Sequence, residues 1–133
     1  KIFAEALKNL NIKFAWIVNS EDGLDEISPY AKTNVVQLKD DKISEITIDP
    51  NELNIDANKF ADLLGNDPAF NASKIIDIFK GEDNDFSKAV CLNTAAGLIV
   101  TEKHSSFSNA YQDARKHILS GKAYKNLKKI QNV

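Results

Sequence analysis

Three carboxylates crowd into five residues of this 133-residue chain, in the segment Asp22-Gly23-Leu24-Asp25-Glu26. The segment follows an apolar run, Phe14 to Val18, that is typical of a buried β-strand. In open α/β sheets ligands gather at the carboxyl ends of strands. Neighbouring carboxylates also offer the hard oxygen ligands that Mg²⁺ takes together with phosphates and water. The sequence therefore indicates a candidate metal site, and an ordinary acidic Asp-Gly turn is the alternative interpretation.

For the remaining residues whose side chains could do chemistry, the surrounding sequence indicates structural rather than functional roles. His104 and His117 lie among charges without a carboxylate at ligand spacing, so we expect solvated surface histidines. Cys91 lies in an apolar stretch with no base nearby, which favours a small core residue over a nucleophile. Asn93, in the same stretch, needs a buried hydrogen-bond partner, and we assign it a structural role.

Composition excludes several classes of protein. The chain has 17 basic and 19 acidic residues, a net charge of −2, and Arg115 as its single arginine, which excludes a strongly basic nucleic-acid binder. Its one cysteine excludes an internal disulfide framework, and no stretch approaches the roughly 18 apolar residues of a membrane span. The five glycines all stand alone, so the main cradle for a phosphorylated ligand must come from residues outside this chain (Gly23, Gly65, Gly81, Gly97 and Gly121).

Hydrophobic periodicity predicts a helix, a strand and a hairpin in the first half of the chain. The helix covers Lys1 to Asn11, and the apolar run Phe14 to Val18 predicts a strand buried on both faces, as in a parallel sheet. Two further strands, Thr33 to Leu38 and Ile43 to Ile48, form the hairpin. Its predicted register pairs Leu38 with Ile43, Val36 with Glu45 and Val35 with Ile46.

The second half predicts helices with recognisable caps. The chain is predicted to be helical from Asp49-Pro50 onward, with Asp49 as an N-cap. Together with the first half, this gives about six helices and three strands in one mixed α/β unit over 1–133. Ala89 to Val100, in the most apolar helix, is expected to have almost no solvent exposure. The predicted helices cover Asn58 to Leu64, Asp67-Pro68 to Gly81, Phe86 to Lys103, Ser105 or Ser106 to Gly121, and a short tail.

Five segments, in this order along the chain, resemble the anthranilate phosphoribosyltransferase family. Each is weak alone, but together they cover essentially all of the 133 residues. The segments are Asp22-Gly23-Leu24-Asp25-Glu26-Ile27-Ser28, Glu45-Ile46-Thr47-Ile48-Asp49-Pro50, Gly65-Asn66-Asp67-Pro68 with Asn71-Ala72, Leu92-Asn93-Thr94-Ala95-Ala96-Gly97-Leu98, and Ser120-Gly121-Lys122-Ala123.

The resemblance implies a three-layer-type α/β fold and a specific metal site. Asp25 and Glu26 correspond to the family's ligands for Mg²⁺ on phosphoribosyl diphosphate, whereas Asp22 belongs to the motif without being a direct ligand. The chain has Asn19-Ser20 where the family usually has His-Gly, and Asp41 where glycine is usual. The resemblance identifies no catalytic residue, and the substrate-binding residues remain unassigned.

The resemblance also implies that the chain is a fragment, the C-terminal part of the family's larger α/β domain. It contains no methionine and opens in mid-helix pattern. The family's N-terminal helical domain, its Gly-Thr-Gly-Gly-Asp loop for phosphoribosyl diphosphate and its anthranilate-placing arginine do not occur in these residues. We therefore expect the chain alone to be inactive.

The implied reaction of the parent joins the anthranilate amine to ribose C1 with release of pyrophosphate, in tryptophan biosynthesis. The expected partners are these small molecules, with no nucleic acid and no membrane. The expected parent is a cytoplasmic homodimer that assembles through the N-terminal helices. A pyrimidine nucleoside phosphorylase-like relative and a free-standing non-catalytic interaction domain are the alternatives.

Overall fold

Three antiparallel strands and five α-helices form the described part of the chain in a computed structural model, residues 1–57 and 63–131. A single-turn 3-10 helix, Pro50–Leu53, joins the two halves. The predicted mixed α/β class is therefore confirmed, with a helix count close to the expected six. The elements are α1 (Ile2–Asn9), β1 (Phe14–Ser20), β2 (Thr33–Lys39), β3 (Lys42–Ile48), α2 (Pro68–Lys80), α3 (Asp85–Val100), α4 (Phe107–Leu119) and α5 (Lys122–Gln131).

The β2–β3 hairpin has the predicted register, with Leu38 opposite Ile43 and Val35 opposite Ile46. A two-residue loop, Asp40-Asp41, closes it, and both residues adopt positive φ angles of 47° and 63°. Positive φ at both central positions is typical of the tight hairpin turns whose twist matches that of the strands. Aspartate tolerates this conformation better than most residues, which explains how the turn forms without glycine.

Strand β1 differs from the prediction of a strand buried on both faces of a parallel sheet. It is an edge strand of the described sheet, antiparallel to β2, and Phe14 to Val18 are all only half-buried. Phe14, Trp16 and Val18 pack against the core, and helix α1 contacts β1 and β2. The prediction was wrong on both points: the run is only half-buried, and a continuous apolar run carries no information about the direction of the neighbouring strand.

Helix α3 is the central helix of the core and begins at a capping box. The Asn84 side chain accepts a hydrogen bond from the Ser87 amide at 3.0 Å, and the Ser87 hydroxyl accepts one from the Asn84 amide at 3.0 Å. The prediction that Ala89 to Val100 would be almost unexposed holds for Cys91, Leu92, Ala95 and Ile99, which are buried. It is wrong for the rest of the segment, which is half-buried or exposed. Val90, Thr94 and Gly97 are exposed, because α4 and the sheet cover only part of the helix circumference.

The predicted caps of α2 and α4 are confirmed. The Asp67 carboxylate accepts from the Phe70 amide at 2.8 Å, and Ser106 caps α4 by accepting from the Asn109 amide at 3.3 Å. Gly81 ends α2 with φ of 104°, and a Cβ there would lie 2.9 Å from the Leu119 carbonyl oxygen. The helix predicted over 58–64 falls mainly on 58–62, outside the described residues.

Helix α1 forms where predicted, but its apolar residues do not form a buried face. Ala4 is fully buried, whereas Ile2 and Phe3 are 86% and 74% exposed. The helix therefore rests on the sheet largely through one small residue. Among the helices of residues 1–57 and 63–131, none has the length and apolar character needed to cross a membrane.

Candidate functional site

The segment that joins β1 to β2, residues 21–32, contains the predicted metal site, and we call it the acidic loop. Its ends are held together because the Glu21 amide donates to the Lys32 carbonyl oxygen at 2.9 Å. The Ser20 amide donates to the Leu24 carbonyl oxygen at 2.9 Å, which folds the start of the loop back on itself. Gly23 has φ of 93° in this turn, a conformation that glycine adopts without a steric penalty. The carboxylates therefore follow the carboxyl end of a strand, as predicted.

Asp22 organises the interior of the acidic loop. Its Oδ2 accepts a hydrogen bond from the Ser28 hydroxyl at 2.5 Å, and its Oδ1 accepts from the Leu24 amide at 3.3 Å. Burial raises the pKa of the Asp22 carboxyl, but hydrogen bonds from Ser28, Ser20 and the Leu24 amide outweigh it, so the net pKa lies below its ordinary value. Both carboxylate oxygens of Asp22 are thus engaged within the loop.

The second half of the acidic loop is buried. Ile27 is 1% exposed and Ser28 fully buried. The Ser28 hydroxyl oxygen accepts from the Tyr30 amide at 2.9 Å, and the Ser28 amide donates to the Thr33 hydroxyl at 3.2 Å. Because these bonds connect the loop to the first residue of β2, the segment after Glu26 is a fixed part of the core.

Helix α3 holds the acidic loop from the side. The Asn93 side chain accepts from the Ile27 amide at 3.0 Å and donates to the Ile27 carbonyl oxygen at 3.2 Å. The Tyr30 hydroxyl donates to the Asp85 carboxylate at 2.9 Å, and Lys88 pairs with the same carboxylate at 2.7 Å. The acidic loop is therefore attached to α3 at two places, the first residue of the helix, Asp85, and its middle, Asn93.

Asp25 and Glu26, the two predicted metal ligands, are adjacent and exposed between these anchors. Neither carboxylate takes part in a hydrogen bond or an ion pair with another described residue. Across 1–57 and 63–131, no group of three or more His, Cys, Asp or Glu side chains could hold a metal ion. Two free carboxylates are hard oxygen donors, but too few to hold Mg²⁺ without further ligands from a substrate and water.

The sequence predictions for the cysteine and the two histidines are confirmed in two cases and wrong in one. Cys91 is 1% exposed, and burial raises the pKa of its thiol to about 11, so the predicted core role is confirmed. His117 is exposed as expected. The prediction for His104 was wrong, because its Nε2 lies 3.3 Å from the Asp113 carboxylate and its side chain is only 24% exposed. This partner lies nine residues further on, across the turn into α4, at a spacing that no motif indicates.

Sequence reasoning missed three residues that hold the acidic loop in place: Ser28, Tyr30 and Asp85. Ser28 belonged to the recognised motif, but its bond to Asp22 could not be read from spacing. Asn93 carried a signal, since a polar side chain in an apolar helix requires a buried partner. That partner, the Ile27 peptide, lies 66 residues away, and only the tertiary structure identifies it.

Comparisons of the sequence and of the structure with known proteins agree with the resemblance to anthranilate phosphoribosyltransferases. An anthranilate phosphoribosyltransferase from Pelagibacter ubique is 76% identical over all 133 residues, which span 40% of its length. The crystal structure of anthranilate phosphoribosyltransferase from Thermus thermophilus matches 95% of the chain with a TM-score of 0.83 and 28% identity, over 37% of its own length. The Saccharomyces cerevisiae enzyme in complex with PRPP (phosphoribosyl diphosphate) and Mg matches 85% of the chain, over 33% of its own length, with a TM-score of 0.72 at 24% identity, which supports the fold alone.

The chain therefore spans about two fifths of the length of the relatives that it matches. A family model described as the glycosyl transferase family, a/b domain, matches residues 1–124. This match includes the whole acidic loop and helices α1 to α4. The chain belongs to the glycosyl transferase family, within its a/b domain.

Proposed function

We propose that this chain is the C-terminal part of the α/β domain of an anthranilate phosphoribosyltransferase. In this proposal Asp25 and Glu26 hold Mg²⁺ on the diphosphate of phosphoribosyl diphosphate. The observation that carries the proposal is the pair of exposed, unpartnered carboxylates on a loop that is anchored on both sides. The high identity to the Pelagibacter ubique enzyme supports the choice of substrates.

The donor set fits a metal that arrives with its substrate. Mg²⁺ is typically held by one or two carboxylates together with substrate phosphates and retained waters. Asp25 and Glu26 offer two such carboxylates, and the Asp22 carboxylate is already occupied by Ser28 and the Leu24 amide. We therefore assign Asp22 to the loop framework and the exposed pair to the metal.

The proposed reaction needs little covalent help from this part of the protein. The lone pair of the anthranilate amine forms a bond to ribose C1, the bond from C1 to the diphosphate oxygen breaks, and its electrons leave with pyrophosphate. The nitrogen then loses one proton. When bound, Mg²⁺ would supply positive charge next to the departing diphosphate. By holding Mg²⁺ on the diphosphate, Asp25 and Glu26 would orient the leaving group so that C1 faces the amine, and neither would act as acid or base.

The test needs the activity of a whole enzyme. We define the reconstituted enzyme as this chain joined to the preceding part of the Pelagibacter ubique relative. In it, Asp25→Asn with Glu26→Gln should lower kcat/KM by at least about 100-fold. The melting temperature should hardly change, since exposed side chains contribute little packing.

A matched control replaces two exposed carboxylates elsewhere, Asp40→Asn with Glu5→Gln, and should keep full activity. Full activity of the Asp25/Glu26 double variant would contradict the metal assignment. A reconstituted enzyme that phosphorolyses pyrimidine nucleosides but leaves anthranilate unchanged would contradict the choice of substrate.

A further inference from the structure

We propose that Asn93 is a positioning residue for Asp25 and Glu26. This inference rests on the proposed function, because it takes these two carboxylates as the metal ligands. It goes beyond that function because Asn93 lies on α3 and is not one of the proposed metal ligands, yet it is assigned control over the position of the two carboxylates.

The Asn93 carboxamide holds the peptide groups that come directly after Glu26. Its Oδ1 accepts from the Ile27 amide at 3.0 Å, and its Nδ2 donates to the Ile27 carbonyl oxygen at 3.2 Å. The Nδ2 group also donates to the Ala89 carbonyl oxygen at 3.0 Å, one helical turn before Asn93. Two bonds to the loop and one to its own helix leave the carboxamide one orientation.

These bonds set the orientation of Glu26 through the planarity of the peptide unit. The Ile27 amide belongs to the peptide bond that joins Glu26 to Ile27. Because this unit is planar and trans, an N–H that faces Asn93 forces the Glu26 carbonyl to point away from α3. The Glu26 Cα lies in the same plane, so the point from which its side chain leaves the loop is fixed relative to α3 as well.

Burial of Ile27 alone would not give this control. Ile27 is 1% exposed, but an apolar contact is non-directional and leaves rotation of the preceding peptide free. The Asp22–Ser28 bond fixes the other side of the acidic loop. Two directional anchors therefore flank the exposed pair Asp25 and Glu26. One is the Asp22–Ser28 bond within the loop, and the other is the bonding of Ile27 to Asn93 on α3.

The test compares two substitutions on α3 in the reconstituted enzyme. Asn93→Ala removes all three hydrogen bonds. Cys91→Ala is the matched control, since Cys91 is equally part of α3 but lies toward α4, beside Arg115 and Ile118. If Asn93→Ala does not fold, Asn93→Leu replaces it, because leucine is close to asparagine in size but, like alanine, offers neither the acceptor nor the two donated bonds.

The first readout needs no metal and no turnover. Amide hydrogen exchange in the metal-free protein should be at least about tenfold faster at Ile27 in Asn93→Ala, since the Ile27 amide loses its acceptor. Cys91→Ala should leave exchange at Ile27 unchanged. An unchanged Ile27 exchange rate in Asn93→Ala would overturn the inference.

The second readout separates positioning from stability. Asn93→Ala should raise the KM for Mg²⁺–phosphoribosyl diphosphate by about 10- to 100-fold, as residues that orient metal ligands do, while the KM for anthranilate stays the same. Cys91→Ala should change neither constant. If Asp25→Asn with Glu26→Gln retains full activity, the proposed function is wrong and the positioning role falls with it. If that double variant is inactive and Asn93→Ala behaves like Cys91→Ala, only the positioning role is wrong.

Discussion

The Ser28 hydroxyl donates a 2.5 Å hydrogen bond to the Asp22 carboxylate, across the base of the acidic loop. The same hydroxyl oxygen accepts from the amides of Tyr30 and Ala31 at 2.9 and 3.3 Å. Because one buried oxygen connects the two ends of the loop, the exposed carboxylates between them are held without contacting anything themselves. The loop thus combines a rigid base with a solvent-facing donor pair.

We predict that the contribution of this bond to stability depends on pH. The pKa of Asp22 is lowered, so the ionised form stabilises the fold above the ordinary value of 3.8, and this stabilisation is lost as pH falls through the lower folded-state pKa. In the reconstituted enzyme, Ser28→Ala should cost about 1–3 kcal/mol near neutral pH. The difference in Tm between Ser28→Ala and the unsubstituted protein should narrow on acidification.

An Asp22→Asn background provides the control for this prediction. There, Ser28→Ala should lower Tm by an amount that does not vary with pH, because residue 22 then has no carboxylate that could titrate. A Tm difference that persists at acid pH in the presence of Asp22 would show that Ser28 acts only through the Tyr30 and Ala31 amides.

The hairpin turn gives a second prediction. Asp41 has φ of 63°, where an L-residue is strained and glycine is not. The strain of an L-residue there is roughly 1–2 kcal/mol, and the greater freedom of glycine in the unfolded chain offsets about 0.4–1 kcal/mol of it. Asp41→Gly should therefore stabilise the reconstituted enzyme by about 1 kcal/mol, measured as a rise in Tm. The exposed pair of Asp41 with Lys13, at 3.8 Å, contributes too little to reverse the sign.

Ser44→Gly is the matched control for Asp41→Gly. Ser44 lies in the same hairpin, within β3, where glycine weakens a strand, so this substitution should lower Tm. A fall in Tm for both variants would mean that Asp41 is not strained in the turn.

Features set by neighbours in sequence could be predicted, whereas features set by distant neighbours could not. The hairpin register follows from alternating residues and a two-residue loop, and the caps at Asp67 and Ser106 follow from local spacing. The direction of β1 could not be predicted, because an apolar run reads alike in parallel and antiparallel sheets. The partner of Asn93 also required the fold, since nothing local distinguishes Ile27 from any other backbone group.

We predict that this chain alone has no transferase activity. Its five glycines are isolated and it has one arginine, and that arginine, Arg115, is already paired with Asp83. Incubation with anthranilate, phosphoribosyl diphosphate and Mg²⁺ should give no phosphoribosyl anthranilate above buffer. Turnover by the chain alone that Asp25→Ala abolishes would contradict this prediction.

Binding of Mn²⁺, a paramagnetic substitute for Mg²⁺, tests most directly whether Asp25 and Glu26 hold the metal. Titrations followed by electron paramagnetic resonance would compare the reconstituted enzyme with its Asp25→Asn, Glu26→Gln variant, with and without phosphoribosyl diphosphate. Without the substrate, both proteins should bind Mn²⁺ weakly, because two carboxylates leave most of the coordination sphere to water. With the substrate, only the unsubstituted enzyme should bind tightly, and the variant should lose at least about tenfold in affinity. Equal substrate-dependent affinity in the two proteins would contradict the assignment of Asp25 and Glu26 as metal ligands.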